Sequence, residues 1–225
     1  MHKNVVLIPT YNEADTILNL IKDLQFVPID VIVIDDNSPD GTADIVSSLS
    51  IPNVRLIENG NKKGIGPAYL AGFSIAIIDG YELIATMDAD GSHSVADLQK
   101  MLEAGRDCDV VMGTRWILGG SVSNWALHRR FLSKFGTSYA RFCLGLPYKD
   151  LTGGLRVYKG KTLGQLNLGL IQSNGYCFQI EMVRAFASMK SKIKEVPINF
   201  VEREKGISKM NRSIVLEAFL RVSIW

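Results

Sequence analysis

Val5-Val-Leu-Ile8, Val31-Ile-Val-Ile34 and Leu83-Ile-Ala-Thr-Met87 are short apolar runs, and each gives way abruptly to polar residues. Pro9-Thr-Tyr-Asn-Glu13 follows the first, Asp35-Asp-Asn-Ser38 the second and Asp88-Ala-Asp90 the third. Between the first two, Ala14 to Phe26 carries apolar residues at 17, 18, 20, 21 and 24, which is helical spacing. Continuous apolar strands alternating with helices predict a mostly parallel sheet covered on both faces, an α/β fold. The alternation continues with a helix over 41–49, a strand over 54–57, a helix over 67–79, a helix over 95–104 and a strand over 110–112.

The remaining third is decorated differently. Gly119-Gly120 opens a loop, 125–144 mixes aromatic, basic and small residues at helical spacing, and Thr152-Gly-Gly154 predicts a turn before a strand over 155–158. A helix is expected over 176–189, a strand over 193–201 that Pro197 would confine to a sheet edge, and an amphipathic helix over 211–225. With 225 residues and 47% hydrophobic against 21% charged, the chain suits one large globular domain, which excludes disorder, collagen and coiled coil. A net charge of +2 lends no support to nucleic-acid binding. Cys108, Cys143 and Cys177 have no CxxC spacing, which argues against a disulfide framework or a zinc site and fits a reducing compartment. The N-terminal apolar run is too short for a signal peptide, and no apolar stretch reaches the roughly 18 residues that span a bilayer, so the chain is expected to be soluble or surface-bound.

In an open parallel sheet, ligands bind beyond the carboxyl ends of the strands. Asp and Asn are ordinary turn residues, but turn chemistry does not ask for acids after three strands on one edge. Like charges crowded on one rim repel unless a cation or ligand relieves them. Asp88 and Asp90, at i and i+2 on an extended segment, point the same way. Such a pair suits a hard divalent cation that takes further oxygens from a diphosphate and water. No GxGxxG follows the first strand, and neither GxxxxGK[ST] nor GxSxG occurs, which removes the usual signs of dinucleotide enzymes, P-loop proteins and α/β-hydrolases.

These segments resemble the GT-A-fold, family-2 glycosyltransferases, and more narrowly the dolichol-phosphate (polyprenol-phosphate) mannose synthases. The resemblance rests on Pro9-Thr-Tyr-Asn-Glu13, Val33 to Thr42, and Met87-Asp-Ala-Asp-Gly-Ser-His93. It continues through Gly113-Thr-Arg115, Asp150-Leu-Thr-Gly-Gly-Leu-Arg156, Gly175 to Glu181 and Pro197 to Lys209. It implies a Rossmann-like GT-A domain over 1–210 and inverting transfer of mannose from GDP-mannose to a polyprenyl monophosphate. Pro9, Tyr11, Glu13 and Asp36 would hold the nucleotide, with Asp35 and Lys63 on the same edge. Asp88 and Asp90 would bind Mg²⁺ or Mn²⁺, with Ser92 where some relatives place a further ligand. Gln179 and Glu181 would face the sugar. Arg115, Arg129, Arg203 and Lys209 would meet phosphates, since these select arginine forks and lysine point charges. Asp150 would orient an arginine or the sugar, or simply cap a turn. His128-Arg129-Arg130 through Arg141 corresponds to the family's acceptor-phosphate segment and departs from its pattern, since relatives often carry Asn where Gly136 or Thr137 stands.

The lipid acceptor implies a peripheral location at the cytoplasmic face of a membrane. The 211–225 helix, ending in Trp225, suits an interface, and so does 122–146 with its aromatic and basic residues. A core helix is the alternative for the former, and a membrane-anchoring partner or transmembrane helices beyond the chain would serve the same end. The rival functions are a transferase using UDP-glucose or another sugar nucleotide, and a catalytically silent binding module.

Overall fold

A computed structural model of the chain describes residues 2–60, 64–175, 177–202 and 221–225. The first half comprises β1 (Asn4–Thr10), α1 (Ile17–Leu24), β2 (Asp30–Asp35), α2 (Thr42–Ser48), β3 (Val54–Glu58), α3 (Ile65–Ile78), β4 (Leu83–Thr86), α4 (Val95–Gly105) and β5 (Val110–Thr114). Then come β6 (Ser121–Ser123), α5 (Leu127–Leu144), β7 (Arg156–Lys159), the short α6 (Gly160–Leu163), α7 (Cys177–Ser188), β8 (Ile193–Pro197) and β9 (Asn199–Val201). One sheet has the strand order β3-β2-β1-β4-β7-β5-β8, and β6 pairs with β9 in a second. Pairings in the large sheet are parallel except those of β7, which runs antiparallel to both β4 and β5. The expected α/β fold with a mostly parallel sheet is the one observed.

Side chains alternate along a strand, so an unbroken apolar run feeds two cores. Val5, Leu7, Ile32 and Ile34 pack with Tyr69 and Phe73 of α3 and Phe178 and Phe186 of α7. Val6, Ile8, Val31 and Val33 pack on the opposite face with Ile17 and Ile21 of α1 and Leu98 and Met101 of α4.

Pro9 does not end β1, which continues to Thr10. The Leu7 carbonyl accepts from Met87 N, so Pro9, two residues on, turns the same edge towards β4, which has already ended at Thr86. Its missing N–H therefore breaks no ladder bond. The single strand predicted over 193–201 is two: β8 lies at the sheet edge as expected, and after Ile198 the chain crosses to pair β9 with β6. Of the helix expected at 211–225, only 221–225 fall among the described residues. There Val222 is buried, Ser223 Oγ lies 2.6 Å from Tyr139 Oη of α5, and the Arg184 guanidinium of α7 sits 5.5 Å from the Trp225 ring centroid.

Helix α4 follows the acidic rim and is fixed at its start. Ser94 caps it, accepting from Asp97 N at 3.0 Å, and the buried Asp97 carboxylate accepts from Asn199 N of β9 at 3.0 Å and from Lys100 Nζ. Burial pushes the Asp97 carboxyl up, but the hydrogen bonds from Asn199, Lys100 and Ser94 prevail and hold it below the ordinary 3.8. Replacing the cap by Ser94→Ala should cost about 1 kcal/mol in urea unfolding. An unshifted midpoint at unchanged slope would contradict the cap.

Candidate active site

The carboxyl ends of β1, β2, β4 and β5 meet on one edge of the sheet. Two loops there are stapled together: Asn12 N donates to Ser38 Oγ, Glu13 N to Thr42 Oγ1 and Ala14 N to Asp40 Oδ2, each at 3.0 Å. Pro9, Tyr11 and Glu13 lie half-buried along this staple. Asp35 serves the loop itself, accepting from Thr10 Oγ1 at 2.8 Å and from Ser38 Oγ and N at 2.6 and 2.8 Å. Asp36 reaches the start of α3, accepting from Asn59 Nδ2 at 2.9 Å and Gly64 N at 3.3 Å. Lys63 lies outside the described residues.

Asp88 and Asp90 follow β4, both half-buried. Asp88 Oδ2 is 3.4 Å from Nε2 of the buried His93, and a Cβ at Gly154 would come within 3.0 Å of the same oxygen, so glycine admits the carboxylate there. Asp90 Oδ1 accepts from Ser92 N at 3.1 Å, while the buried Ser92 Oγ has no hydrogen-bond partner among the described residues. No group of three or more His, Cys, Asp or Glu among the described residues could cage a metal. Two carboxylates and an orphaned hydroxyl suit a hard cation that completes its shell from a diphosphate and water. Behind them, burial and then the Asp88 charge push the Tyr69 phenol well above 10.

Gln179 and Glu181 both sit on α7, with different surroundings. The Glu181 carboxylate accepts from Gln172 N at 3.2 Å and Ser173 N at 2.9 Å. It thereby anchors a loop that lies on the start of α3, where Gly66 N donates to Asn174 O and a Cβ at Gly66 would meet Ser173 O at 2.1 Å. Gln179 is 4% exposed, and neither atom of its amide has a partner among the described residues.

Arg115, expected at a phosphate, has its fork on Asp150: Nε donates to Oδ2 at 2.6 Å, Nη2 to Oδ1 at 2.7 Å, and Nη2 also to Thr152 Oγ1 at 2.9 Å. Both residues are buried, and Trp116, Trp125 and Phe200 surround the guanidinium with ring centroids 5.1 to 5.5 Å away. Burial pushes the Asp150 carboxyl up, yet the Arg115 charge and hydrogen bonds prevail and hold it below 3.8. Arg129 stacks on Trp125 at 4.3 Å and pairs with Glu202. Arg203 and Lys209 lie outside the described residues.

Helix α5 packs Ala140, Tyr139 and Leu144 on the core but exposes several large apolar side chains. Leu127, Phe131, Phe135 and Phe142 are exposed, with Phe131 and Phe135 stacked 6.1 Å apart. On another face, Arg130 Nε, Ser133 Oγ, Thr137 Oγ1 and Arg141 Nε are buried without hydrogen-bond partners among the described residues, and Trp116 Nε1 and Trp125 Nε1 share that condition. Arg130 Nη2 donates to Val122 O at 2.9 Å; donors of this kind suit an anionic group.

The family model for glycosyl transferase family 2 matches residues 5–166. The chain belongs to this family. It is 43% identical over 225 residues to an undecaprenyl-phosphate mannosyltransferase of Micrococcus luteus, covering 98% of this chain and 93% of the relative. It is 38% identical over 229 residues to a polyprenol monophosphomannose synthase of Mycolicibacterium smegmatis, covering 99% and 86%. A solved structure from Desulfovibrio desulfuricans G20, assigned as a nucleotide-diphospho-sugar transferase, has a TM-score of 0.55 at 10% identity with 99% of each chain covered, a likeness of fold.

In this glycosyltransferase, the resemblance placed Arg130 and Arg141 in the acceptor-phosphate segment with Arg129 as its ligand, and gave no role to Ser133, Thr137 or Arg156. The residues 130, 133, 137 and 141 fall on one helical face beside the aromatic stripe, a pattern visible in the chain. Asp150→Ala, which leaves Arg115 buried without its carboxylate, should cost about 3–5 kcal/mol in chemical unfolding. The lowered folded pKa means that the carboxylate's contribution is complete above 3.8 and is lost as pH falls through the folded value. Thermal melts from about pH 7 to about pH 3 should therefore show the gap between wild type and Asp150→Asn narrowing on acidification; a constant gap would contradict the assignment.

Proposed function

We propose that this glycosyltransferase transfers mannose from GDP-mannose to a polyprenyl monophosphate with inversion at the anomeric carbon, at the cytoplasmic face of a membrane. The observation that carries the reading is α5, which turns orphaned arginine and hydroxyl donors inward and aromatic side chains outward. A lipid phosphate is the one acceptor whose head would satisfy the first face while its tail belongs with the second. The names of the two relatives, which specify an undecaprenyl or polyprenol carrier and mannose, support the same chemistry.

In this reading Pro9, Tyr11, Glu13 and Asp36 embrace the guanosine along the stapled loops. Asp88 and Asp90, with Ser92, would hold Mg²⁺ or Mn²⁺, whose charge offsets that of the donor diphosphate as GDP departs. An oxygen of the acceptor phosphate attacks the anomeric carbon as the bond from that carbon to the diphosphate oxygen breaks. The phosphate is already ionised at neutral pH, so no strong base is required, and the protein acts by positioning and by stabilising charge. Arg130, Ser133, Thr137 and Arg141 grip the acceptor phosphate, while the unsatisfied Gln179 amide meets sugar hydroxyls. Asp150 keeps Arg115 rigid at the floor between them.

Asp90→Ala should retain the native circular dichroism spectrum and lose transfer, because it removes repulsion along with the ligand. Near-normal activity would defeat the metal reading. A donor panel of GDP-mannose, UDP-glucose and UDP-N-acetylglucosamine completes the test, and equal use of all of them would defeat the GDP-mannose reading.

No helix among the described residues is long and apolar enough to cross a membrane. Helix α5 contains no acidic residue and carries Arg129, Arg130, Lys134 and Arg141, so its aromatic stripe is suited to lie in an anionic interface. The double change Phe131→Ser with Phe135→Ser should lower co-sedimentation with phosphatidylglycerol-containing vesicles by about tenfold while leaving GDP-mannose binding intact. Undiminished sedimentation would remove α5 from the interface.

A further inference from the structure

Arg156 opens β7 and has the largest of the fully buried side chains, at 1% exposure. It donates Nε to Gly153 O at 3.0 Å, Nη1 to Gln179 O at 2.8 Å and Nη2 to Leu151 O at 2.8 Å, carbonyl acceptors in each case. A buried guanidinium held by carbonyls is an expensive choice for a core position that an apolar residue could fill.

Its surroundings give the reason. Arg156 pairs in register with Thr86 of β4, two residues before Asp88. Thr86 Oγ1 donates to Gly154 O at 2.8 Å, and Gly154 lies against the Asp88 carboxylate. By holding the carbonyls of Leu151 and Gly153, Arg156 sets the turn that backs Asp88; by holding the Gln179 carbonyl it joins that turn to α7.

We propose that Arg156 is a positioning residue for the cation–diphosphate site: by gripping the Leu151, Gly153 and Gln179 carbonyls it fixes the turn behind Asp88 and so the place of that carboxylate. The inference rests on the proposed metal-dependent transferase reading. Its test is Mn²⁺ binding by calorimetry without nucleotide, on wild type, Arg156→Met, Arg156→Lys and Thr86→Val, with unfolding midpoints measured alongside. Folded Arg156→Met should bind Mn²⁺ about tenfold or more weakly, as losses behind metal ligands do. Arg156→Lys, which keeps a donor for one carbonyl and loses the fork, should recover part of that loss, and Thr86→Val, which loses the bond to Gly154 O, should weaken binding with Arg156 intact. In turnover, Arg156→Lys should raise KM for GDP-mannose and leave KM for the lipid phosphate unchanged, a split that a general loss of stability would not produce. Wild-type Mn²⁺ affinity in folded Arg156→Met overturns the inference alone. Should Arg156→Met not fold, wild-type affinity in both Arg156→Lys and Thr86→Val overturns it. Failure of the wild type itself to bind Mn²⁺ overturns this inference together with the function on which it rests.

Discussion

Strand β7 hydrogen-bonds to β4 on one side and to β5 on the other, against the direction of both. That one insertion delivers residues 150–156 to the edge where the acids sit. Asp150 arrives beside Arg115 at the end of β5, Gly154 beside Asp88 past the end of β4, and Arg156 between the two strands. The polar floor of the site descends from this pairing, because the buried ion pair and the turn behind Asp88 are made by residues that share a short span of chain. A parallel strand in the same place would have presented this turn at the opposite edge of the sheet.

Charge is sorted in space. Carboxylates occupy the ends of β1, β2 and β4, while α5 carries arginine and hydroxyl donors, and the loop leading to it the indoles of Trp116 and Trp125, that have no hydrogen-bond partner among the described residues. Between them lies the Arg115–Asp150 pair, wrapped in Trp116, Trp125 and Phe200. Such a pair contributes little net stability against an apolar substitute, but it holds its geometry stiffly once formed. In the proposed reaction two anionic phosphates approach one sugar carbon, and a stiff neutral pair between an acidic and a basic half would keep them from repelling each other. In the proposed function, a cation at the acidic rim would meet the anionic donor, and the donors of α5 the anionic acceptor.

Several residues prominent in the chain have quieter duties in the fold. Asp35 closes its own turn, Glu181 holds a loop against α3, and Arg115 is given to Asp150. Their chemical types drew attention because acids and arginines serve both as ligands and as internal staples, and spacing alone does not separate the two. Conversely, the significance of Arg156 lies in which carbonyls it reaches, and that of Ser133 and Thr137 in having no hydrogen-bond partner among the described residues, neither of which a residue type announces.

Hydropathy patterning alone determined the strands of the first half, the helices between them and the placing of Asp35, Asp36, Asp88 and Asp90 beyond strand ends, because burial on both faces imposes a local and continuous signature. Only the tertiary structure decided that β7 lies between β4 and β5, that 193–201 divides between two sheets, and that Asp150 closes on Arg115 across 35 residues. Pairings between distant segments are selected by the packing of the whole domain, and no short stretch of sequence records its partner.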